Sequence, residues 1–462
     1  MSDIIVEYLY IVSAVLFVLS LKFMSEVRTS RLGNLCAVAG MGLAVVATLD
    51  AFQVGRVDLL VGGVVIGSVV GAPIGLKVAM TGIPQRTAMS HAFGSLAVAL
   101  VGVAEYYQGQ PGIDTLTLSV LSAEMILGFL TFTGSLIAFA KLQGIVSGRP
   151  ILFRGRTVVS LTTLGAAVAS GVLLVAYQDQ HIILPLLAAL ALLFGFQLVI
   201  AIGGADMPTV IAILNSFAGL SAAALGFVLN NKLLIVAGSL DGSSGLILAL
   251  IMSQAMNRSF VNILFGGVGV VKGEAAVKPG EAGKTAQAYT VEDVATVLAS
   301  ARSVVFAPGY GMAVAQAQHV VKELADVLEA RGVDVKYAIH PVAGRMPGHM
   351  NVLLAEAQVP YDKLWEMERI NPLFPETDVV IVVGANDVTN PAARTKTDSP
   401  LYGMPILDVD KAKTVVFIKR SMNPGFSGVE NDLFYNPNTM MVFGDAKRAV
   451  SELVAVMRKQ KN

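Results

Sequence analysis

A single cysteine, Cys36, occurs in the 462 residues, so the chain has no disulfide framework and no cysteine-ligated metal or iron–sulfur site. It sits in an apolar run, where it reads as a small packing residue. Charge is scarce too. Asp, Glu, Lys and Arg make up 14% of the chain and balance at 33 of each sign, which argues against nucleic acid as a partner. The shortage is concentrated: residues 1–260 hold only twelve Lys and Arg, whereas the last 200 residues read like an ordinary soluble domain.

What fills the space is apolar. Hydrophobic residues are 54% of the chain, more than a soluble protein of this length can bury. About 20 apolar residues make a helix long enough to cross a bilayer. Nine such runs occur, at about 4–22, 34–54, 57–80, 84–107, 116–140, 157–177, 181–202, 207–230 and 233–257. The first is no cleavable signal peptide, since Asp3 and Glu7 flank it and no small-residue cleavage site follows. With the N-terminus outside, Lys22, Arg28, Arg31, Lys77, Arg86, Lys141, Arg149, Arg154, Arg156 and Arg258 fall inside and only Arg56 and Lys232 outside. That asymmetry orients the spans and delivers the C-terminal domain to the cytoplasm. The third span carries Gly63, Gly67, Gly71 and Gly75 at four-residue spacing, a smooth stripe suited to close helix contact within one subunit or between two.

Ionisable and amide groups inside spans are costly and mark function by default. His91 lies seven residues into the fourth span, about 10 Å from the inner surface at 1.5 Å per residue. Its ordinary pKa near 6.5 suits reversible protonation. Glu124 in the fifth span either handles protons or braces neighbouring helices. Asn215 in the eighth is either a relay or interhelical glue. Asp241 in the ninth lies within Gly-Ser-Leu-Asp-Gly-Ser-Ser-Gly, whose hydroxyls offer it a structural role. Only one histidine is deep in a span, which excludes a bis-histidine haem there.

Three regions follow: a membrane domain at 1–260, a linker at 261–290, and an α/β domain at 291–462. Gly267-Val-Gly269 in the linker lacks strand–helix context and is set aside. Ser303–Pro308 reads as a strand, followed by Gly309-Tyr-Gly311-Met-Ala-Val314, one helix to about Arg331, and a second strand at Val333–Ile339. This is the context of a dinucleotide fingerprint, with Val314 in place of the third glycine. The glycines give a tight turn and bring backbone N–H groups toward a pyrophosphate. Further strands are expected at Asp378–Val383, Thr414–Ile418 and Met440–Phe443. No acid ends the second strand to hold an NAD ribose. Lys419, Arg420 and Ser421 instead offer two cations and a hydroxyl, which favours NADP(H).

Taken together, Gly203-Gly-Ala-Asp206-Met-Pro208, Ala255-Met-Asn-Arg-Ser259, Pro308–Gln318, His340–Leu354, Gly384-Ala-Asn-Asp387, Lys419-Arg-Ser-Met-Asn423 and Phe443-Gly-Asp-Ala-Lys447 resemble the β subunit of proton-translocating NAD(P)+ transhydrogenase along the entire chain. The resemblance implies an α-helical membrane bundle of nine helices plus a C-terminal Rossmann-like domain that binds NADP(H) in reversed orientation. It implies a lid at Met422–Gly428, a proton-linked role for His91, a channel-side role for Asn215, and coupling of redox to proton state at Asp387. Where this chain has Phe426 the family commonly has Tyr, and where it has Asp241 an apolar residue is expected.

The catalytic set expected is therefore His91, Asn215, Glu124 and Asp387. The cofactor set comprises Gly309, Tyr310, Gly311 and Val314, then Val342, Ala343, Gly344, Arg345, Met346 and Pro347. It continues with Gly384, Ala385, Asn386, Asp387 and Val388, with Gly403 and Met404, and with Lys419, Arg420, Ser421, Met422, Asn423, Pro424, Gly425 and Phe426. Asp445 and Ala446 complete it, and no metal is expected. Hydride transfer needs two nucleotide sites, and this chain offers one fingerprint. NAD(H) is thus expected on an α subunit, in a dimer of α–β pairs in the bacterial inner membrane. The other class open to this architecture is a transporter or channel gated by a nucleotide-sensing domain. The Asp206 loop and the link after Arg258 are the segments expected to carry coupling.

Overall fold

The computed structural model describes residues 3–51, 56–77, 82–109, 112–147, 150–151, 153–178, 180, 182–203, 206–256, 259–260, 263, 286–346, 348–397, 399, 401–425 and 427–460. Pro347, Phe426, Arg149, Arg258, Gly204, Ala205 and the linker's Gly267–Gly269 lie outside them. The chain divides into two compact units. One comprises Met1–Val78, Gln85–Ile202 and Val210–Ala249; the other comprises Ala79–Pro84, Gly203–Thr209 and Leu250–Asn462.

Nine helices among the described residues are long and apolar enough to cross a membrane. They are α1 (Asp3–Met24), α2 (Ser30–Ala51), α3 (Val57–Lys77), α4 (Ile83–Gly109), α5 (Thr115–Leu142), α6 (Arg156–Ala176), α7 (Ile183–Ile200), α8 (Met207–Val228) and α9 (Lys232–Ala255). This is the architecture of a multi-pass membrane protein, and each helix falls on one of the nine apolar runs. Asp114 starts α5 by accepting a hydrogen bond from the Thr117 amide. Helix α5 is the buried centre of its unit: Leu118, Leu121 and Met125 pack with Ala99 and Tyr106 of α4, Leu174 of α6 and Leu187 of α7. Small residues let the backbones touch. A Cβ at Gly195 of α7 would lie 2.1 Å from the Leu130 carbonyl oxygen, and Thr133 donates to the Leu192 carbonyl at 2.7 Å. Helix α3 is the opposite case. None of its residues is buried, and nothing described lies within 4 Å of a Cβ built at Gly63, Gly67, Gly71 or Gly75. The glycine stripe is not a seam within the described part of this chain.

The second unit holds a six-stranded parallel sheet. Its elements are α10 (Val291–Ser300), β1 (Ser303–Pro308), α11 (Tyr310–Val314), α12 (Gln318–Glu329), β2 (Asp334–Ile339), α13 (His349–Glu356), β3 (Leu364–Glu366), α14 (Met367–Ile370), β4 (Val379–Val383), α15 (Ala392–Thr395), β5 (Thr414–Lys419), β6 (Thr439–Phe443) and α16 (Ala446–Lys459). The strand order is β3-β2-β1-β4-β5-β6, the doubly wound order, with the topological switch between β1 and β4. All five residues of β4 are buried, as a strand covered on both faces requires. One apolar layer on one face includes Leu324, Leu328, Val450 and Leu453; the other includes Phe374, Leu407 and Phe434. Ala288 bridges Met441 in parallel, and Thr290 and Asp293 form a capping box at the start of α10.

Two expectations are corrected. The helix expected from the glycine turn to Arg331 is two helices, because Gln316 takes a left-handed φ of 48° and the Ala317 amide bonds back to the Met312 carbonyl. The sheet also has an edge strand, β3, which no apolar run announces: Leu364-Trp365-Glu366 pairs with Tyr337–Ile339.

Candidate functional site

At the carboxyl end of the sheet the loops after β1 and β4 interlock. The Gly309 amide donates to the Val383 carbonyl at 2.9 Å and the Gly311 amide to the Gly384 carbonyl at 2.8 Å. A Cβ at Gly309 would meet Ala385 Cα at 2.4 Å; one at Gly311 would meet Gly384 Cα at 2.7 Å. Gly384 itself has a φ of +63°. The fingerprint glycines therefore permit contact between two backbone loops, and two of the amides expected to face a pyrophosphate are bonded to β4 and the loop that follows it. Val314, at the third glycine position, is exposed at the end of the short helix α11, where close packing makes no demand for glycine.

Around this switch point three further loops converge. After β2, the Arg345 guanidinium lies 4.4 Å from the Tyr310 ring centroid, and His349 stands 6.5 Å from that ring. Burial raises the Tyr310 hydroxyl above its ordinary pKa. His340 and His349 are both 1% exposed, and burial holds each imidazole down to about 4. His340 Nδ1 accepts from the Val342 amide, so the neutral tautomer donates from Nε2 to the Pro405 carbonyl at 2.8 Å. His349 Nδ1 accepts from the Arg345 amide at 2.9 Å. These two rings fix the 340–346 loop and tie it to the stretch carrying Gly403 and Met404. That stretch is anchored in turn by bonds from Gly403 N–H to Ala393 and from Leu407 N–H to Val388.

The loop after β5 folds over the loop after β4. Ser427 donates both its amide and its hydroxyl to the Asp387 carboxylate, and a Cβ at Gly425 would lie 2.7 Å from Asp387 Oδ1. Asn386 donates to that same oxygen at 2.9 Å. Lys419 Nζ reaches the Asn386 side-chain oxygen at 3.2 Å and the Asn423 carbonyl at 2.5 Å, above the Phe434 ring. Burial lowers the Lys419 ammonium's pKa, and the charge of Asp387 opposes that. Arg420 pairs at 3.0 Å with Asp445, which also caps α16 by accepting from the Lys447 and Arg448 amides. Ser421 Oγ receives a long contact from the Asn423 amide at 3.4 Å. The site thus gathers one held anion, Asp387, with Lys419 beside it and two exposed groups, Arg420 and Ser421, at the rim.

In the membrane unit two polar stations are distinct. Glu124 on α5 is fully buried; Ser221 of α8 approaches its carbonyl at 3.0 Å and its Oε1 at 3.4 Å. A Cβ at Gly102 of α4 would lie 2.0 Å from Glu124 Oε2, so this carboxylate fills the gap the glycine leaves. Asn215 of α8 donates its amide to Asp241 of α9, at 3.2 Å to the carboxylate and 3.3 Å to the backbone carbonyl. His91 on α4 is half-buried.

A family model described as the NAD(P) transhydrogenase beta subunit matches residues 6–456. The chain belongs to that family. Two sequences named NAD(P) transhydrogenase subunit beta, both from Rhodospirillum rubrum and one of them from a specified strain, are each 48% identical over 455 residues, covering 97% of this chain and 98% of theirs.

Within this transhydrogenase beta subunit, the fold brings the 309–311, 342–346, 384–388 and 419–425 loops to one end of one sheet, as their positions after strands imply. Pro347 and Phe426 of the expected set lie outside the described residues. Reading the sequence missed Ser427, the partner of Asp387. It also missed His340 and His349 as braces of the loop and Phe434 beneath Lys419. Ser427 stood within the expected lid, but its hydroxyl gave no signal of its own.

Proposed function

We propose that the α/β unit is the NADP(H)-binding half of a proton-translocating transhydrogenase. On this reading an α subunit holds NAD(H), and hydride passes from NADH to NADP+ while a proton moves inward through the membrane unit. The observation that carries the reading is Gly425 and Ser427 set against Asp387 at the β1/β4 switch point, with Lys419, Arg420 and Ser421 at the end of β5. The residues fit a 2′-phosphorylated dinucleotide. Lys419 ends β5 and Arg420 and Ser421 follow it, giving two cations and a hydroxyl, while β2 ends on Ile339, followed by His340, with no carboxylate for a free ribose.

When bound, NADP(H) supplies the carbon that takes or gives the hydride, and the protein's contribution is positioning rather than acid–base chemistry. Lys419, Arg420 and Ser421 bind the phosphate end. Tyr310 with Arg345, and the loops at 342–347, 384–388, 403–404 and 445–446, orient the rest. The 422–428 segment acts as the lid, held by Asp387. In the membrane unit His91 takes up the proton, with Asn215 and Glu124 as further polar groups of the path. Hydride exchange between similar nicotinamides is nearly thermoneutral, so a proton crossing about 150–200 mV, worth roughly 3.5–4.6 kcal/mol, sets its direction. Coupling requires one two-state element biased by both sites. The bacterial inner membrane, with the α/β unit on the cytoplasmic side, is the setting that the basic residues of the inner loops favour.

The test is reconstitution. Vesicles holding this chain with its α subunit should form NADPH from NADH and NADP+ with proton uptake. Vesicles with this chain alone should bind NADPH without turnover. Robust transfer by the purified single chain would overturn the division of sites, and absence of NADPH formation with both subunits would turn the reading toward a gated transporter.

A further inference from the structure

Asn431 is fully buried although it lies in a polar stretch, Val-Glu-Asn-Asp, and a buried amide has to find partners for both of its ends. Its nitrogen donates to the Asn386 carbonyl at 3.1 Å, with a longer contact to Thr389 Oγ1 at 3.4 Å. Its oxygen accepts from the Leu433 amide at 3.1 Å. A carbonyl takes only a donor and an N–H only an acceptor, so these partners leave one orientation of the side chain.

Each end holds a different part of the site. The Asn386 carbonyl, directly before Asp387, receives three donors: Asn431, the Thr389 hydroxyl at 3.0 Å and the Thr389 amide at 3.3 Å. Thr389 is fully buried as well. Fixing that carbonyl fixes the peptide plane it shares with Asp387, and with it the direction in which Asp387 leaves the loop. The other end of Asn431 starts the turn Asp432–Tyr435, which carries Phe434. Phe434 meets Phe417 of β5 edge-on at 5.1 Å between centroids, and the Lys419 ammonium lies 4.7 Å from the Phe434 centroid. Asn390, also fully buried, ties the same two segments a second time by donating to the Glu430 carbonyl at 3.1 Å.

We propose that Asn431 is a positioning residue of the nucleotide site, one amide that sets both the anion, Asp387, and the bed of the cation, Lys419. This rests on the reading of that site as the place of NADP(H). Asp387 receives Ser427 and so acts on how fast the nucleotide leaves, whereas Lys419 acts on which nucleotide is held. Loss of Asn431 therefore changes both. Loss of the Thr389 hydroxyl, which leaves the Leu433 bond in place, changes the first alone.

The experiment uses the full chain purified in detergent, unmutated and as Asn431→Ala, Thr389→Val, Ser427→Ala and Lys419→Ala. NADP+ release is followed by stopped flow, NADPH and NADH affinities by calorimetry, and unfolding by heat. Asn431→Ala should release NADP+ about tenfold faster and lower the ratio of NADPH to NADH affinity about tenfold, as the loss of one or two buried hydrogen bonds implies. Thr389→Val keeps the shape of the side chain; it should speed release about fivefold and hold the ratio within about twofold of the parent. If Asn431→Ala unfolds at a lower temperature while release and ratio both stay parental, Asn431 is only a packed amide and the proposal is overturned. A change in just one of the two also overturns it. If Asn431→Ala yields no folded chain, Thr389→Val decides: faster release at an unchanged ratio supports the proposal, and parental release overturns it. Ser427→Ala and Lys419→Ala report on the underlying reading, since parental behaviour in both would remove the nucleotide site itself and the proposal with it.

Discussion

Ser427 closes on Asp387 with both of its donors: its amide reaches Oδ2 at 2.9 Å and its hydroxyl reaches Oδ1 at 2.8 Å. The contact joins the loop after β5 to the loop after β4 across forty residues of sequence. On the proposed reading it is the bond that holds the lid shut.

Ser427→Ala removes the hydroxyl bond and leaves the amide bond. A hydrogen bond to a charged acceptor contributes about 1.5–3 kcal/mol, so opening should become roughly 10- to 100-fold easier. NADP+ release from the full chain, followed by stopped flow, should accelerate about tenfold or more. A release rate within twofold of the parent would remove Ser427 from the lid.

Specificity should follow Lys419 and Arg420 differently from stability. Arg420 is exposed and paired with Asp445, an ion pair of the kind that contributes little, whereas Lys419 is half-buried and bonded to Asn386 and Asn423. Arg420→Ala should leave unfolding unchanged and Lys419→Ala should lower stability modestly. Both should reduce the ratio of NADPH to NADH affinity, each about tenfold or more. Calorimetry giving equal affinities for the two nucleotides in the unmutated chain would exclude the β5 end as a phosphate site.

His340 and His349 should make the α/β unit sensitive to mild acid. Both are held neutral by burial, with folded values of about 4 against an ordinary 6.5. The unfolded chain therefore binds protons first, and stability is full above about pH 6.5 and falls as the pH drops toward 4. At pH 5 the loss is about 2 kcal/mol per histidine. Urea unfolding of a 286–462 fragment at pH 7.5 and 5 should show it. His349→Asn keeps an acceptor for the Arg345 amide but cannot titrate, so it should remove about half of the difference. An unchanged pH dependence in that variant would mean that the acid sensitivity lies elsewhere.

The membrane helices and most of the sheet were readable because each depends on a continuous local signal. Nine apolar runs became nine helices, and apolar stretches ending in glycine or polar turns became β1, β2, β4, β5 and β6. What escaped depends on distance in sequence. Strand β3 is three residues long and is a strand only because β2 lies beside it. The break at Gln316 is a left-handed φ of 48° closed by the Ala317 amide on the Met312 carbonyl, and nothing in Ala-Gln-Ala-Gln announces it. In the membrane unit His91, Asn215, Glu124 and Asp241 were each conspicuous alone. Their pairing, Asn215 with Asp241 and Ser221 with Glu124, appears only once glycines let the helices touch.

Glycines of equal appearance in the sequence should therefore behave unequally. At Gly195 a methyl group would sit 2.1 Å from the Leu130 carbonyl oxygen and 2.3 Å from Thr133 Oγ1, and the carbonyl belongs to helix backbone that cannot rotate aside. Gly195→Ala should force α5 and α7 apart, costing about 1–3 kcal/mol or more, and the Thr133 bond to Leu192 should be lost with it. At Gly67 and Gly71 of α3 the same methyl group meets nothing described within 4 Å. Gly67→Ala and Gly71→Ala should leave the chain's own thermal unfolding in detergent unchanged, with a small gain in helix propensity if anything. Any defect they cause should show instead as weaker association with a second polypeptide, since small-residue stripes act where another helix packs closely. Thermal unfolding of the three purified variants, beside size analysis of their complexes with the α subunit, separates the cases. Loss of stability in the isolated Gly67→Ala chain would place a neighbouring helix of this same chain against α3.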